Sequence, residues 1–359
     1  MNILELITTD YTNYNEAKAK LIAEPYNLKI KESEDLFLLQ KNKLPEIFSI
    51  NICYECNGTI FEKNTNKVIC YGSDCLYKIN ETNELDNLNL NNENILVQKY
   101  YDGTLIKVYY YNNKWNYSTN GCIDAFESNW ISDKSFGELF NECIPDTFEN
   151  MLNKEFCYTF ILIHPENRNV VKNSNKKIIH ISTRDLNTLE EITQDIGIET
   201  PEYIDISLEE IKQSFSKMEY NNPGYIIYDK TQQSKKYSLT NESFNKVKNM
   251  KGNLNNINKI CINSILNKND LLKYYPELKE SHGQNTILLN NLVKELFILY
   301  KDRHIYHNFK VLPPNIHYII KNIHDYYKTQ KQKITPTIIN SVLKKYIDVV
   351  HNIFYNKKN

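Results

Sequence analysis

Cys53, Cys56, Cys70 and Cys75 are spaced as the ligands of a small zinc site could be. Such a site needs four thiolates brought to one tetrahedral point. Cys56 and Cys70, however, fall inside runs of strand character, Ile47–Phe61 and Lys67–Tyr71, with apolar neighbours. A thiol in such a run packs as a small hydrophobe. The reading is therefore reduced, buried cysteines and no metal. A second constellation lies near the end of the chain. Arg303, His304, Tyr306, His307 and Lys310 interleave cations with aromatic rings. That mixture could contact phosphates while stacking on bases. A bland alternative, an amphipathic helix with hydrated histidines, accounts for the same residues. No Walker-type loop, dinucleotide fingerprint or Ser-His-Asp context stands in the sequence.

The elements that would position these residues change in texture along the chain. Ile47–Phe61 and Lys67–Tyr71 flank the turn-rich Glu62–Lys67 and read as a hairpin. Ile79–Asn94 is polar and Asn-rich and reads as a loop. Ile95–Tyr101, Thr104–Tyr111 and Lys114–Ser118 are separated by Asp102-Gly103 and Asn112-Asn113, which predicts a three-strand meander. Trp130–Leu152 reads as helical, and Tyr158–Ile163, Ile178–Ser182 and Gly224–Tyr228 as further strands. Beyond Lys246, apolar residues recur at helical spacing in Ile287–Tyr300, Ile316–Tyr327 and Ile338–Ile353. Thr335 is placed to cap the last of these, with Pro336 at its first position. The expected architecture is α+β, an antiparallel-sheet domain over 1–244 followed by an all-α domain over 245–359.

Charge follows the same division. From Asn245 onward there are 19 lysines and arginines against 7 acids, whereas the first 244 residues hold 24 against 37. The two parts thus carry opposite charge within a chain whose formal net charge is −1. A basic helical part suits a nucleic acid or an acidic protein partner. No run approaches the ~20 apolar residues of a membrane span, and the start lacks a secretory pattern, so an intracellular, cytoplasmic protein is expected.

Five segments, in order, resemble ATP-dependent RNA ligases of the phage type, within the covalent nucleotidyltransferase superfamily. Tyr100-Tyr101-Asp102-Gly103 resembles the Lys-x-Asp-Gly that carries the nucleophilic lysine. Glu55–Phe61 is similar to the upstream Cys-Arg-Gly-(apolar) strand. Phe160–Val171, with Pro165, Asn167 and Arg168, resembles the Phe-Glu strand and the Pro-x-Asn-Arg that follows. Pro223-Gly224-Tyr225-Ile226 is similar to Glu-Gly-Tyr-Val, and Tyr237–Thr240 falls where a Lys-x-Lys pair closes the nucleotide pocket. The resemblance covers about residues 45–245. The heavy use of Asn, Lys, Ile and Tyr is what a divergent large-DNA-virus form would carry, in host cytoplasm or virion.

The departures fall on the chemistry. Tyr100 stands for the nucleophile, Ile161 and Pro223 for acids, and Ser238 and Thr240 for the paired lysines. An active ligase needs these groups to attack the α-phosphate, hold metal and clamp developing charge. The resemblance implies a degenerate, catalytically inactive relative that binds RNA (tRNA-like or broken ends) or an RNA-processing protein. Asp102, Gly103, Asn167, Arg168 and Gly224 remain as nucleotide-binding positions, although Asn167-Arg168 could equally serve the local turn. Two alternatives stay open: a working ligase with relocated residues, using ATP and Mg, and a structural or scaffold subunit of a virus. Lys99 is the outside candidate for a relocated nucleophile, but strand alternation points it away from the pocket. Lys107, beyond the turn, is expected to be an exposed strand residue.

Overall fold

Strand register and apolar packing organise the first part of the chain. The computed structural model describes residues 7, 13–23, 26–42, 57–72, 76–79, 81–88, 90, 92–230, 236–252 and 254–355. Cys53, Cys56 and Cys75, and the segment 47–56 expected to be a strand, lie outside the described residues. The chain divides into two compact units, Met1–Asn245 and Lys246–Asn359.

In the first unit, helix α1 (Tyr14–Ile22) has its N-terminal amide at Glu16 capped by Asn13. Strands β1 (Lys29–Glu32), β2 (Leu36–Gln40), β3 (Ile60–Glu62) and β4 (Val68–Cys70) form an antiparallel sheet in that order. The β3–β4 hairpin lies where the sequence predicts one. Phe37 and Phe61 stack at 5.1 Å in its core.

Two five-stranded sheets carry the rest of the unit. One has the order β11-β10-β9-β7-β8, from β7 (Thr104–Tyr111), β8 (Lys114–Ser118), β9 (Phe156–Ile163), β10 (Lys177–Asp185) and β11 (Glu191–Ile192). The other has the order β12-β6-β13-β14-β5, from β5 (Leu76–Ile79), β6 (Ile95–Lys99), β12 (Tyr203–Ile204), β13 (Gly224–Asp229) and β14 (Lys236–Thr240). Among the described residues, all pairings are antiparallel except β14 with β5. The expected α+β, antiparallel architecture is what the structure has.

The meander expected over Ile95–Ser118 is not formed. β7 and β8 do make a hairpin, through Asn112 and Asn113, both at positive φ (52° and 60°), as a primed two-residue turn requires. β6, however, belongs to the other sheet. Ile95 and Val97 pack with Ile79, Phe215, Ile227 and Leu239, whereas Ile106 and Val108 pack with Phe140, Phe160 and Ile178. Asp102-Gly103 is therefore a crossover between sheets, not a hairpin turn.

Two other expectations shorten. Ile79–Asn94 is not all loop: 3-10 turns span Thr82–Leu88 and Asn92–Asn94, and Leu85 is buried. Trp130–Leu152 holds only helix α2 (Phe136–Asn141) and a 3-10 turn, Phe148–Met151. Ser135 and Glu138 cap α2 reciprocally. Pro145, which lacks an amide hydrogen, stands where the helix would have continued. Helix α3 (Leu208–Phe215) covers the second sheet with Leu208, Ile211 and Phe215.

Helix α4 (Glu242–Lys251) leads the chain out of the first unit. The second unit is helical: α5 (Ile257–Asn267), α6 (Leu271–Tyr274), α7 (Lys279–His304), α8 (Pro314–Gln330), α9 (Pro336–Leu343) and α10 (Ile347–Tyr355). Its core joins Ile262, Leu292, Leu296, Ile320, Ile323 and Leu343. Thr335 accepts from the Ile338 amide, the cap expected from sequence. The helix expected over Ile338–Ile353 breaks after Leu343, where Lys345 and Tyr346 donate to Val342 and Leu343 in three-residue turns. No helix among the described residues is long and apolar enough to cross a membrane.

Candidate functional site

The two five-stranded sheets face each other across a cleft of about 210 Å³. One wall presents Gln98, Ile226, Tyr228 and Lys236; the other presents Leu105, Thr159, Ile161 and Ser182. Tyr100 and Gly103 close the end where the chain crosses between sheets. The register explains the walls. Gln98 pairs with Ile226 and Lys236 with Tyr228, so their side chains share one face. Leu105 pairs with Ile161 on the opposing sheet.

Tyr100, the residue at the nucleophile position, lies with its ring 6.1 Å from that of Phe244, edge to face. Burial, with the Asp102 carboxylate adding to it, pushes its phenol up to about 12. A phenol that reluctant to ionise is a poor nucleophile. Ile161 lines the cleft as an alkyl surface, and no carboxylate lines it among the described residues. Ser238 and Thr240 are buried, and the Thr240 hydroxyl is spent on Asn245.

Most of the residues read as nucleotide-binding serve the backbone. Asp102 Oδ2 accepts the amides of Val170 and Val171 at 2.7 and 2.8 Å. Asn167 donates to the Thr104 hydroxyl at 2.8 Å, Arg168 Nε to the Val170 carbonyl at 3.1 Å, and Asn169 to the Gly103 carbonyl. Together they tie the crossover to the loop after β9. Gly103 packs so tightly that a Cβ there would stand 2.4 Å from Ile161 Cγ2. Gly224 sits at φ +141°, and a Cβ would stand 2.0 Å from the Leu239 carbonyl oxygen. Of these positions only Gly103 borders the cleft itself.

Three lysines occupy places the sequence pattern does not mark. Lys99, the last residue of β6, pairs with Tyr225 and so shares the strand face opposite Gln98; it borders the cleft mouth, half exposed, with its ammonium 4.0 Å from Glu202. Lys107 is not exposed at all. It is fully buried and donates to the Gly58 carbonyl at 2.9 Å. The reason is its face: it pairs with Thr159 on the same side as Leu105 and Ile161, under the first sheet. Burial lowers its amine to about 8. Lys236 is the residue sequence reading missed. It lies two positions before Ser238, on the same strand face, and its ammonium meets Glu191 at 2.9 Å. The periodicity of two was the available signal.

Magnesium and a triphosphate do not fit this cleft. One wall cation, Lys236, already has its counter-ion, and the lining is mostly alkyl and aromatic. Elsewhere, Glu142, His164 and Glu166 bring ligand atoms within 4.8 Å of one another. In this structure they form a salt-bridge network. Lys134 reaches both carboxylates, at 2.7 and 3.0 Å, and Lys176 also pairs with Glu142. Those contacts, led by Lys134, hold the Glu142 carboxyl down at about 2. His164 Nδ1 accepts the Glu166 amide, so Nε2 carries the hydrogen and faces Glu142.

In the helical unit the basic–aromatic group separates. Tyr306 and Phe309 are 67% and 69% exposed in the segment after α7, with Ile305, His307, Lys310 and Val311 also exposed. Arg303 lies 5.6 Å from the Phe309 ring, and Lys310 is 3.7 Å from Asp302. His304 turns inward and stacks on His324 at 3.8 Å, with its Nε2 buried.

No protein-family model matches the chain. Two curated relatives are viral. An immediate-early protein ICP-46 homologue of Invertebrate iridescent virus 3 is 32% identical over 143 residues, 36% of this chain and 32% of that protein. The protein of the same description from Invertebrate iridescent virus 6 is 22% identical over 271 residues, 66% of this chain. The match spans 59% of that second protein, so the chain covers under two thirds of either relative. These relatives support a large-DNA-virus origin. Similar solved structures include two forms of an archaeal ATP-dependent RNA ligase. Form 2 has a TM-score of 0.48 at 10% identity over 81% of this chain and 82% of that one. Form 1 has 0.47 at 10% over 96% and 90%.

Proposed function

We propose that this chain is a degenerate RNA-ligase-like protein that forms no enzyme–AMP intermediate and contacts RNA through the exposed segment after α7. One observation carries the loss of chemistry. Three of the five ligase-like segments line one inter-sheet cleft, and the residues they place there are Tyr100, Tyr101, Gly103, Ile161 and Ile226, none of them an acid or an amine. Nucleophile, metal ligands and phosphate clamp are missing together, so no single relocation restores the step. Among the described residues, Lys99 and Lys236 are the two amines that border the cleft, and each lies by a carboxylate.

Support for RNA contact is the pairing of Arg303 and Lys310 with exposed Tyr306 and Phe309, in a part of the chain that is basic overall. Incubation with α-labelled ATP and Mg tests the first half. No label should remain on the denatured protein, and a covalent adduct lost on Lys99→Ala or Lys236→Ala would overturn it. Filter binding of single-stranded RNA across a salt series tests the second half. Affinity should fall with salt, and Arg303→Ala with Lys310→Ala should reduce the slope by about one per phosphate contact removed. A salt-independent signal, or none, refutes RNA contact there.

A further inference from the structure

β8 is the edge strand of its sheet. Its inner side pairs with β7 from Lys114 to Ser118. Along its outer side, no backbone hydrogen bond to another segment is made among the described residues. Edge strands left this way are templates for another extended chain. This edge borders a groove of about 460 Å³, the larger of the two cavities described here, and it is separate from the inter-sheet cleft.

The groove's chemistry is consistent along its length. Tyr111, Trp115, Tyr117 and Phe126 supply ring surface, and Phe126 is 43% exposed. The acids are Glu32, Glu34 and Asp35 from the β1–β2 turn and Asp124 and Glu127 from the far side. Only Lys31 and Lys114 oppose these five carboxylates in the lining. Glu32 is committed to Lys18 and Lys63. Glu34, Asp35 and Glu127 make no ion pair among the described residues. Aromatic faces beside unmatched carboxylates attract organic cations and repel phosphates.

We propose that this groove binds an extended, basic segment of a partner protein, which adds to the sheet as a strand beside β8. The strand edge supplies main-chain bonds, and the rim selects lysine or arginine at alternate positions. One set of side chains would meet Tyr111 and the Glu34–Asp35 turn. The next would meet Trp115, Phe126 and Glu127. RNA is disfavoured here by the carboxylates, so this surface is distinct from the one after α7.

The test uses the full chain and a fluorescein-labelled acetyl-(Lys-Val)4-amide peptide. Binding followed by anisotropy should be saturable and weaken with salt. The Glu34→Gln/Asp35→Asn/Glu127→Gln variant, altered only at exposed positions, should bind at least tenfold more weakly. Hydrogen exchange on the unsubstituted protein should show slower exchange at residues 114–118 when the peptide is bound. Equal binding of the acidic (Glu-Val)4 peptide, or unchanged affinity in the variant, overturns the charge selection. Equal binding of a (Lys-Val)4 peptide N-methylated at every second residue overturns strand addition. So does full displacement by spermine with no protection of β8.

Discussion

Replacing Lys107 with methionine should make the protein more stable at neutral pH. The side chain is fully buried, and burial lowers its amine from 10.5 to about 8. Below pH 8 the amine is charged in both the folded and the unfolded chain, and the folded chain bears the whole cost of burying that charge. Between pH 8 and 10.5 the unfolded chain still holds the proton and the folded chain has released it, so stability rises with pH across that window. Above 10.5 the cost is gone. A gap of about 2.5 pH units at about 1.4 kcal/mol each comes to roughly 3 kcal/mol. Methionine is close in shape and takes no proton. It forfeits the bond to the Gly58 carbonyl, a loss of roughly 1–2 kcal/mol. The expected gain at pH 7 is thus about 1–2 kcal/mol. The sharper expectation is that the difference between the two proteins shifts by roughly 3 kcal/mol between pH 7 and pH 10.5. Urea unfolding under reducing conditions reads this directly, because both tryptophans, Trp115 and Trp130, lie in the unit that holds Lys107. A difference that stays level across that range refutes the reasoning.

Asp102→Ala should cost about 3–4 kcal/mol, since one carboxylate oxygen accepts two backbone amides and each charge-assisted bond contributes roughly 1.5–3 kcal/mol. A loss under about 1 kcal/mol in urea unfolding would count against that role. Gly224→Ala should sharply reduce soluble yield or lower the thermal midpoint, because its Cβ meets the Leu239 carbonyl oxygen at 2.0 Å; an unchanged midpoint rejects this. In the helical unit, burial and then neighbouring His324 lower His304 from 6.5 to about 4. Between those values the unfolded chain takes a proton that the folded chain refuses, so stability falls as pH drops from about 6.5 toward 4. His304→Phe keeps a ring and removes the proton. Its thermal midpoint by circular dichroism should fall less than the parent's between pH 7 and pH 4.5, and equal falls would falsify the assignment.

Local signals were legible where one residue decides the backbone. Asn112-Asn113 specified a hairpin because both residues accept positive φ, and Thr335-Pro336 specified a helix start because one caps and the other needs no amide hydrogen. The sheet to which a strand belongs was not legible. Asp102-Gly103 reads locally as a turn, and only the apolar partners of Val97 and Val108, far away in sequence, send β6 and β7 to different sheets. The burial of Lys107 was hidden for a similar reason. Nothing near it in sequence reveals that the Gly58 carbonyl is placed to accept its hydrogen bond. Lys236 was hidden by register, since the family pattern marks Ser238 and Thr240 two and four residues further on the same face.

The ligase-like segments divide according to what their side chains touch. Asp102, Asn167 and Asn169 bond to atoms of this chain, and Gly224 makes room for its neighbour's carbonyl. Changing any of these disturbs the crossover or the β13–β14 pairing, whatever the cleft binds. The nucleophile, acid and clamp positions would touch only substrate and metal, so tyrosine, isoleucine and threonine stand there without disturbing the fold. Their arrival changes the cleft's physics as well as its chemistry. A triphosphate entering would exchange water for alkyl and aromatic walls, with Lys236 already neutralised by Glu191. The desolvation of several phosphate charges has no compensating partner there. On the proposed reading the fold outlasts the reaction, and function rests on the exposed segment after α7 and on the edge of β8, where Glu34, Asp35 and Glu127 make no ion pair among the described residues.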